Sequence, residues 1–596
     1  MSDIYNPDLV RNFAIIAHID HGKTTLTDQF LQLTETVSSL DFKERMMDSN
    51  PIEQEKGVTI KLAPVRMNYK NHVLNLIDTP GHVDFGYEVS RSLQACEGAI
   101  LLIDATQGVQ AQTLANYEKA VSLGLKIIPV INKIDAPHAQ IDTTILEIID
   151  LFEINETEIL LCSAKTGKGV SALLDQIIKR IPPPNNKTSQ NLQSLIITSQ
   201  YDNHQGVIAY TRVFSGTLSA NDELHLMFSD TSFSPIEIGI FSPQKKRVKQ
   251  LKAGEVGYIA TGLKTINQVR IGDTITHRKT KTQIKPLPGY KEPTPMVFME
   301  LYPLDHGQFQ DLKDAMEKLS LHDAALTSTP THSQALGNGL RVGFLGIFHA
   351  EIVRERLQRE FAQELIATAP SVKYQVETKT GEILVIESPS QLPDPSQISK
   401  LLEPIANATI FAPIEHLPSI VDFVRRRRGK MLDSINSGSR SKLSYEIPLS
   451  ELIFNFHDQL KSLTSGYASL EYEVTDYRKI EAVKIDILVN REIIEALSFI
   501  SLEENAQEKA RKLVAKLKNV VPRQLFEVPI QAAIGGKIIA RETIKAYRKD
   551  VTAKLYGGDV SRRKKLLSKQ AEGKKRMKQF GKVELNQEAF LAVLES

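Results

Sequence analysis

The amino-terminal part of the chain alternates short apolar runs with helix-like patterns. Four of the runs end in polar or glycine-bearing residues, namely Phe13–Ile19, Leu74–Pro80, Gly98–Ala105 and Lys126–Asp135. Near-continuous apolar runs of this length are typical of strands that are buried in a parallel sheet. The pattern therefore predicts an α/β domain whose functional residues lie in loops at the carboxyl ends of its strands.

The pattern changes after the polar, proline-rich segment Ile181–Gln190. Short apolar runs with glycine and Asn-Asp turns follow as far as a second linker, Lys285–Pro295, and they predict an antiparallel β-barrel. Beyond it, strand patterns mix with amphipathic helices such as Gly307–Leu319 and Phe348–Phe361. This mixture predicts small α+β domains, two of which are separated by the polar stretch Ser388–Ser396.

Charge is distributed unevenly along the 596 residues. The whole chain has 73 lysines and arginines against 71 acids, which gives a net charge of +2. Between Lys537 and Lys582, sixteen cations stand against four acids, so this segment carries about +12 and the remainder about −10. Such asymmetry indicates a segment that binds nucleic acid or an anionic membrane surface.

Cysteine content and hydropathy limit the compartment. The two cysteines, Cys96 and Cys162, are too few for a disulfide framework, which favours a reducing environment. Met1–Arg11 contains no apolar signal region, and no apolar run reaches the roughly 18 residues of a membrane span. We therefore expect a soluble, cytoplasmic protein.

The segment AHIDHGKTTL, Ala17–Leu26, follows the first predicted strand and opens a helix pattern. It matches the phosphate-loop pattern, with alanine in place of the first glycine. Backbone N–H groups of such a loop surround the β-phosphate, and Gly22 would permit the close approach. Lys23 would reach the β- and γ-phosphates, and the Thr24 hydroxyl would bind Mg²⁺. The alternative is a surface turn before a helix.

Three more short motifs stand at the ends of later predicted strands. In DTPGH, Asp78–His82, the Asp78 carboxylate would hold Mg²⁺ through a water, and the Gly81 N–H would meet the γ-phosphate. The carboxylate that ends NKID, Asn132–Asp135, would accept two hydrogen bonds that guanine offers and adenine does not. SAK, Ser163–Lys165, would supply a backbone N–H to guanine O6. The ordered set predicts a GTP site, because four such motifs at strand ends rarely coincide by chance.

Two further residues are candidates for the hydrolysis step. Thr59, in EQEKGVTI (Glu53–Ile60), would bind Mg²⁺ and sense the γ-phosphate, so that GTP orders this segment and hydrolysis releases it. His82 directly follows the glycine that meets the γ-phosphate, and it would orient the attacking water. Ile19 and Ile60 would flank His82 and hold it away from the phosphate until a partner acts.

These motifs resemble those of the translational GTPases that work on the ribosome. The resemblance rests on AHIDHGKTTL, EKGVTI, DTPGHVDF, EVSRSLQACEGAILLIDATQGVQAQT and NKID. Two later segments, Gly343–Phe361 and Ser465–Glu473, resemble the α+β domains that elongation factor G shares with its relatives. The stretch from QAAIGGKIIARETIKAYRKD to GKKRMK is similar to the elongation factor 4 (LepA) branch. The similarity runs from about Arg11 to Glu595.

The resemblance implies a multidomain protein with α/β, β and α+β parts. The expected order is a P-loop GTPase domain with a mostly parallel sheet (residues 1–186), a translation-factor β-barrel (187–288), an α+β domain resembling domain III of elongation factor G (289–372), an α+β region resembling its domain V (373–485) and a carboxyl-terminal domain specific to elongation factor 4 with the basic tail (486–596). The two α+β domains are expected to be ferredoxin-like. The chain has no room for the long tRNA-mimicking domain of elongation factor G.

The resemblance also assigns roles to individual residues. It places nucleotide contacts on Asp20, His21, Gly22, Lys23, Thr24, Thr25, Asn132, Lys133 and Asp135. With Gly81, Ser163 and Ala164 from the motifs, these residues make up the predicted GTP/GDP site. The Mg²⁺ ligands fall on Thr24, Thr59 and, through water, Asp78, and the catalytic role falls on His82.

The activity implied by the resemblance is Mg²⁺-dependent hydrolysis of GTP to GDP and phosphate, coupled to the ribosome. The family is described as moving tRNAs back by one codon, with a role in fidelity or stress, and as associating peripherally with the cytoplasmic face of the cell membrane. We expect a monomeric, ribosome-associated GTPase. Two alternatives stay open: a forward translocase like elongation factor G, and a nucleotide-gated RNA-binding assembly factor with little turnover.

Two basic clusters are candidates for contacts with RNA phosphates. The first is RRRRGK, with Arg425, Arg426, Arg427 and Arg428, for which a solvated charge cluster is the alternative. The second lies in the tail and comprises Arg562, Arg563, Lys564, Lys565, Lys574, Lys575 and Arg576. A solvated charge run is the alternative for the tail as well. The tail has only a thin apolar face, which Gly573 interrupts, so RNA is favoured over a membrane-surface helix, and membrane contact is kept as the secondary interpretation.

Overall fold

The strands of the chain form several sheets that follow one another in chain order, as seen in a computed structural model. The residues that the structure describes are 6–38, 42, 45–47, 51–56, 62–80, 86–184, 191–202, 204–264, 268–288, 294–320, 323, 325–333, 336–437, 440–453, 455–547, 560–580 and 589. The predicted succession of an α/β part, a β part and α+β parts is confirmed.

The first sheet has six strands in the order β2–β3–β1–β4–β5–β6. They are β1 (Val10–Ala17), β2 (Ala63–Tyr69), β3 (His72–Asp78), β4 (Gly98–Asp104), β5 (Lys126–Asn132) and β6 (Leu160–Leu161). The helices beside them are α1 (Lys23–Leu33), α2 (Pro51–Lys56), α3 (Gly86–Gln94), α4 (Ala111–Ser122), α5 (Ile141–Phe152) and α6 (Val170–Arg180). Only β2 and β3 pair antiparallel. Every residue of β1 and β4 is buried, as their apolar runs predict, and their carboxyl ends share one edge of the sheet.

The second part is an eight-stranded antiparallel sheet in the order β11–β10–β16–β7–β8–β15–β12–β13, with a separate β14–β9 pair. Its strands are β7 (Gln193–Asp202), β8 (Gly206–Ser215), β9 (Thr217–Ser219), β10 (Leu224–Leu226), β11 (Thr231–Phe233), β12 (Glu237–Phe241), β13 (Lys245–Arg247), β14 (Gln250–Lys252), β15 (Val256–Ala260) and β16 (Thr274–His277). Val207, Ala209 and Val213, at alternate or near-alternate positions of β8, pack into one apolar cluster with Ile196 of β7. The alternation along the chain thus produces the β-rich part that it predicts.

The third and fourth parts each combine an antiparallel sheet with helices. The third has strand order β18–β19–β17–β20 and contains β17 (Val297–Pro303), β18 (Thr327–Ser333), β19 (Gly337–Phe344), β20 (Leu365–Ala367), β21 (Ser371–Val372), α7 (Phe309–Ser320) and α8 (Ile347–Phe361). The fourth has strand order β23–β22–β24–β26–β25 and contains β22 (Tyr374–Thr378), β23 (Ile383–Ile386), β24 (Ile398–Pro413), β25 (Lys430–Ser437), β26 (Arg440–Pro448), β27 (Ser469–Ile480), α9 (Leu417–Arg426), α10 (Leu449–Leu452) and α11 (Phe456–Leu463). β21 pairs with β17, and β27 pairs with β24. The amphipathic patterns therefore form α7 and α8 within a residue or two of the expected bounds.

The fifth part has strand order β29–β28–β31–β32, and β30 also pairs with β28. It contains β28 (Ala482–Val489), β29 (Glu492–Ile493), β30 (Phe499–Leu502), β31 (Val528–Ile534), β32 (Lys537–Ile544), α12 (Glu503–Val520) and α13 (Val560–Phe580). β28 crosses the predicted boundary between residues 485 and 486. The residue bounds of the five predicted domains stay predictions. Tyr302 of β17 packs into the apolar cluster of this part, so the third and fifth parts share a core.

The basic tail is helical. α13 runs without a break through Gly573, so the glycine that is predicted to interrupt the thin apolar face does not end the helix. A glycine inside a helix costs only about 1 kcal/mol, and the surrounding lysines, arginines and glutamines are good helix formers. The composition of the neighbours outweighs the single glycine.

The first and second parts meet through a buried polar network. Glu97 accepts a hydrogen bond from Asn12 Nδ2 at 3.0 Å and forms an ion pair with Arg212. Asn12 Nδ2 also donates to the Gly254 carbonyl oxygen at 3.0 Å. Burial raises the pKa of the Glu97 carboxyl, and the charge of Arg212 acts in the opposite direction. Arg212 thus compensates a charge that would otherwise be buried alone.

A second contact joins α2 to α8 of the third part. Arg359 donates to Glu55 at 2.8 Å, and Lys56 pairs with Glu355 at 3.2 Å. The Lys56 ammonium also lies 5.9 Å from the ring centroid of Phe348. Two residues of the predicted switch segment Glu53–Ile60 are therefore paired with the third part.

We expect the Arg212→Ala variant to lower the free energy of unfolding of the first two parts by about 3 kcal/mol, because Glu97, whose side chain is only 13% exposed, loses its cationic partner and keeps only the Asn12 donor. Urea unfolding followed by far-UV circular dichroism measures this loss. The matched control is Arg278→Ala, which removes an exposed ion pair with Glu223 in the same part and should change stability by about 0.5 kcal/mol or less. A loss below about 1 kcal/mol for Arg212→Ala would contradict the assignment.

Candidate nucleotide-binding site

The phosphate-loop candidate is the turn between β1 and α1. β1 ends at Ala17 and α1 begins at Lys23. Asp20 and Gly22 have positive φ angles of 63° and 92°, so the turn needs residues that tolerate left-handed backbone. A Cβ atom on Gly22 would lie 2.5 Å from Nδ2 of Asn132. Glycine is therefore required at position 22 by crowding inside the protein, in addition to the approach of a phosphate that the sequence predicts.

Lys23 and Asp78 form a buried pair at this edge of the sheet. The Lys23 ammonium lies 3.5 Å from Oδ1 of Asp78, and the two side chains are 9% and 0% exposed. Within the described part of the chain, neither the ammonium nor either carboxylate oxygen has a hydrogen-bond partner. Burial raises the pKa of the Asp78 carboxyl, and the charge of Lys23 acts against this. Buried charges are costly unless ligands satisfy them, so the pair fits a phosphate beside Lys23 and hydrated Mg²⁺ beside Asp78.

The first turn of α1 presents Thr24 and Thr25, which are half-buried and exposed. The preceding residue, Gly22, provides no side-chain cap for the helix. N–H groups at a helix amino terminus attract anions, because they are unpaired donors at the positive end of the helix dipole. The turn is thus suited to phosphate, with Thr24 partly shielded from solvent and Thr25 exposed.

His21, a predicted nucleotide contact, points its ring inward. The N–H of Asp104 donates to Nδ1 of His21 at 3.3 Å, and Nε2 has no hydrogen-bond partner among the described residues. Burial lowers the pKa of His21 well below its ordinary value, so the ring is neutral at physiological pH. The ring supports the loop from beneath, and only the backbone of His21 faces the predicted phosphate position.

Asn132 links the phosphate-loop candidate to the SAK segment after β6, Ser163–Lys165, which we call the guanine loop. Its Nδ2 donates to the His21 carbonyl oxygen, and its Oδ1 accepts from the Ala164 N–H, both at 2.9 Å. The SAK motif is predicted to give a backbone N–H to guanine O6. Because Asn132 engages the N–H of Ala164, guanine binding through that group requires this bond to open.

Lys133 and Asp135 flank the predicted position of the base. The Lys133 ammonium donates to the Asp20 carbonyl oxygen at 2.6 Å and pairs with the Asp104 carboxylate at 2.7 Å. Asp135 is exposed, and a hydrogen bond from Ser163 lowers the pKa of its carboxyl. The carboxylate is therefore charged at neutral pH, as an acceptor for two guanine N–H groups needs to be.

Sequence reasoning missed two supports of this site. Asp104 is fully buried at the end of β4, where it holds Lys133 and accepts from the Thr106 N–H at 2.8 Å. The position of Asp104, a charged residue at the end of an apolar run, could have indicated this role from the sequence. The second support is the contact between His18 Nδ1 and Gln112 Oε1 at 2.9 Å, which no local pattern indicates because the residues lie far apart in sequence.

Three predicted residues lie outside the described residues: Thr59, Gly81 and His82. The second Mg²⁺ ligand, the γ-phosphate contact and the catalytic role therefore stay predictions. The other predicted nucleotide residues lie around the carboxyl ends of β1, β3 and β5 or in the loop after β6.

The four consecutive arginines separate into two pairs. Arg425 and Arg426 are 79% and 77% exposed and both pair with Asp422. Arg428 instead makes two hydrogen bonds to Glu403, at 2.6 and 3.0 Å, and one to Glu451 at 3.0 Å. Arg427 donates to Gln459 Oε1 at 2.8 Å. Arg427 and Arg428 thus engage side chains of their own part, whereas Arg425 and Arg426 extend into solvent, and contact of this cluster with RNA stays a prediction.

The tail places its first basic cluster on one helix. Arg562, Arg563, Lys564 and Lys565 are exposed in the first turns of α13. The side chains of Lys574, Lys575 and Arg576 lie outside the described residues. Among the described residues, no helix combines the length and the apolar character that crossing a bilayer requires.

Four family models match successive parts of the chain. They are the elongation factor Tu GTP binding domain at residues 8–183, elongation factor Tu domain 2 at 206–276, the elongation factor G C-terminus at 400–488 and the GTP-binding protein LepA C-terminus at 489–595. The first model spans the phosphate loop, the Lys23–Asp78 pair and the guanine loop. It identifies the chemistry of this site as binding and hydrolysis of GTP.

Whole-length relatives agree with these matches. Elongation factor 4 of Acetivibrio thermocellus is 52% identical over 594 residues, which cover 98% of each chain. Elongation factor 4 of Bacillus cereus is 49% identical over 592 residues, which cover 98% of this chain and 97% of the relative. A crystal structure from Thermus thermophilus has a TM-score of 0.57 at 18% identity, covers 79% of this chain and 97% of that one, and supports the fold alone. The chain therefore belongs to the elongation factor 4 (LepA) family of translational GTPases.

Proposed function

We propose that this GTPase binds the ribosome in its GTP form and promotes the one-codon backward movement of tRNAs, from the post- to the pre-translocation position, as a fidelity or stress factor. The observation that carries the proposal is the union, in one chain, of a GTP-binding part with a LepA carboxyl-terminal part that bears a basic exposed helix. Hydrolysis then favours release from the ribosome, because GDP, unlike GTP, does not keep the switch segment Glu53–Ile60 in the ordered conformation that binds the ribosome.

The proposed nucleotide contacts divide into a phosphate side and a base side. On the phosphate side are Asp20, His21, Gly22, Lys23, Thr24, Thr25 and Gly81, and on the base side are Asn132, Lys133, Asp135, Ser163 and Ala164. Thr24, Thr59 and, through water, Asp78 would hold Mg²⁺, which neutralises charge between the β- and γ-phosphates when bound. The unsatisfied Lys23–Asp78 pair supports this assignment.

His82 is the proposed catalytic residue. Its place after Gly81 would let the imidazole orient a water for attack on the γ-phosphorus, with GDP leaving and phosphate formed. The ribosome would supply the trigger by bringing the imidazole past the flanking Ile19 and Ile60.

The proposed RNA contacts lie at two places on the surface. Arg425 and Arg426 lie at the end of α9, and Arg562–Lys565 together with Lys574, Lys575 and Arg576 belong to α13. Exposed cations of this kind bind phosphate with a strong salt dependence. We place the protein in the cytoplasm as a ribosome-associated monomer near tRNA, with peripheral contact to the cell membrane as a further proposed property.

The experiments below also distinguish two alternative functions. A forward translocase of the elongation factor G type would move the ribosome downstream. A nucleotide-gated assembly factor would bind RNA with little turnover, and the presence of His82 argues against it.

The position of the ribosome on an mRNA tests the direction of movement. We expect this protein with GTP to shift the leading edge of a post-translocation ribosome one codon upstream, as read by primer extension, because the proposed complex favours the earlier tRNA positions. GDP in place of GTP is the control and should leave the edge in place. A downstream shift, or none, would contradict the proposal.

Turnover of a His82→Ala variant tests the catalytic assignment. We expect GTP affinity to be unchanged and ribosome-stimulated phosphate release to fall roughly 100- to 10,000-fold, the usual contribution of a positioned acid–base group. Phosphate release is measured with and without ribosomes. Unchanged stimulated turnover in the variant would refute the role of His82, and wild-type turnover that ribosomes do not stimulate would favour the assembly factor.

A further inference from the structure

The first residues of two strands in the fourth part contact the first part. Arg440 begins β26 and Ser469 begins β27, and both contact the segment between β4 and α4, residues 105–110, or the first residue of α4. Phe411 of β24 packs beside them into the apolar core of the first part. We call these three residues the docking edge.

Arg440 closes a buried polar cluster. Its Nη1 donates to the Val109 carbonyl oxygen at 2.6 Å, and its Nε lies 3.7 Å from Oε1 of Glu147. The other oxygen of Glu147 accepts from the Val109 N–H at 2.9 Å. The side chains of Arg440 and Glu147 are only 8% and 5% exposed. Both backbone groups of Val109 are thus hydrogen-bonded, the N–H to Glu147 of the first part and the carbonyl oxygen to Arg440 of the fourth part.

Ser469 supplies a helix cap across the interface. The N-cap position of α4, Gln110, makes no side-chain capping hydrogen bond. The Ser469 hydroxyl instead accepts from the Ala111 N–H at 2.7 Å. A serine at a helix amino terminus is a favoured cap because it satisfies a donor that the helix leaves unpaired. The start of α4 therefore depends on a residue more than three hundred positions away.

The segment that the docking edge holds also supports the nucleotide site at both of its ends. At its start, Asp104 pairs with Lys133 at 2.7 Å. At its far end, Gln112 in the first turn of α4 contacts His18 of the phosphate loop at 2.9 Å. Gly108, with φ 68°, lies so close to Glu147 that a Cβ atom there would contact the carboxylate. The segment is packed too tightly to move at one end alone.

We propose that Arg440 and Ser469 are positioning residues for the guanine nucleotide, so that docking of the fourth part slows nucleotide release. The proposal rests on the nucleotide site proposed above and extends it to a second part of the protein. The docked edge fixes residues 105–111, and the residues that flank this segment, Asp104 and Gln112, hold Lys133 on the base side and His18 on the phosphate side. By reciprocity, bound nucleotide favours docking, and a partner that lifts the fourth part away accelerates release.

Docking of the fourth part and the order of residues 105–111 are coupled through buried charges and hydrogen bonds. Lifting the edge leaves Glu147 without its cation, the Val109 carbonyl oxygen without its donor and the first turn of α4 without its cap. Burial raises the pKa of the Glu147 carboxyl, whereas the Val109 N–H and Arg440 act in the opposite direction. An uncompensated buried carboxylate is strongly unfavourable, so the segment rearranges when the edge leaves.

The test measures dissociation of GDP that carries a fluorescent N-methylanthraniloyl group from the full-length chain. We expect Ser469→Ala to release it roughly three- to tenfold faster, since the cap contributes about a kcal/mol and acts through α4. Arg440→Ala should release it roughly tenfold faster or more. In ribosome-stimulated turnover, both variants should raise the KM for GTP and leave kcat within about twofold, because neither residue touches the reacting atoms.

Lys442→Ala is the matched control. Lys442 lies on the same strand as Arg440 and pairs with Glu118 across the same interface at 3.6 Å, away from residues 105–111. Its variant should release GDP within about twofold of the wild-type rate. Equal acceleration by Lys442→Ala would overturn the specific role of the docking edge in favour of general loosening.

Ser469→Ala keeps the test decisive if Arg440→Ala fails to fold, because it removes one hydroxyl and leaves the buried charges paired. A wild-type release rate in a Ser469→Ala variant that is folded, as judged by a wild-type far-UV circular dichroism spectrum, would overturn the proposal. Failure of the wild-type protein to bind the labelled GDP would overturn the nucleotide site itself, which is a different result from a bound nucleotide that leaves at an unchanged rate.

Discussion

Two opposite charges buried together at one edge of the first sheet determine the design of the site. Lys23 and Asp78 face each other at 3.5 Å, without a hydrogen-bond partner in the described part of the chain. Their own attraction offsets only part of the cost of removing them from water. Such a pair is stable in a folded protein when a ligand completes it, and an anion with a divalent cation is the complement that these two charges require.

The surrounding residues form a network of hydrogen bonds and one ion pair beside this pair. His21 lies neutral beneath the loop, Asn132 connects the phosphate loop to the guanine loop, and Lys133 is held between Asp20 and Asp104. Each of these contacts is a hydrogen bond or ion pair between residues that lie at the ends of different strands. The parallel sheet is what brings them together, because its strands end along a common edge.

The same logic extends beyond the first part. Glu97 and Arg212 join it to the second part, Glu55 and Lys56 join it to α8 of the third, and Arg440 and Ser469 join it to the fourth. The last two of these joints lie next to elements that the nucleotide is proposed to touch or order, whereas Glu97 precedes β4 at the opposite edge of the sheet. These polar contacts connect the first part to the second, third and fourth parts, beside apolar contacts such as that of Phe411.

The sequence predicted those features that arise from local patterns. Apolar runs located the strands of the first sheet, and glycine and lysine at fixed spacing located the phosphate loop. Features that depend on distant partners were not predictable. Nothing in RRRRGK distinguishes Arg428, which is occupied by Glu403 and Glu451, from Arg425, which is exposed. The cap that Ser469 provides to α4 also has no local signal, because the helix and its cap belong to different parts of the fold.

Thermal unfolding with defined nucleotides tests the central claim, which is that the buried pair and the loop around Asp135 form a guanine-nucleotide site. With Mg²⁺ present, GDP at about one hundred times its Kd should stabilise the protein by about 2.7 kcal/mol, and ADP at the same concentration should not. In an Asp135→Asn variant, the stabilisation should pass from GDP to xanthosine diphosphate, because an amide matches the carbonyl that xanthine carries where guanine has an amino group. Equal stabilisation by ADP, or none by GDP, would contradict the account.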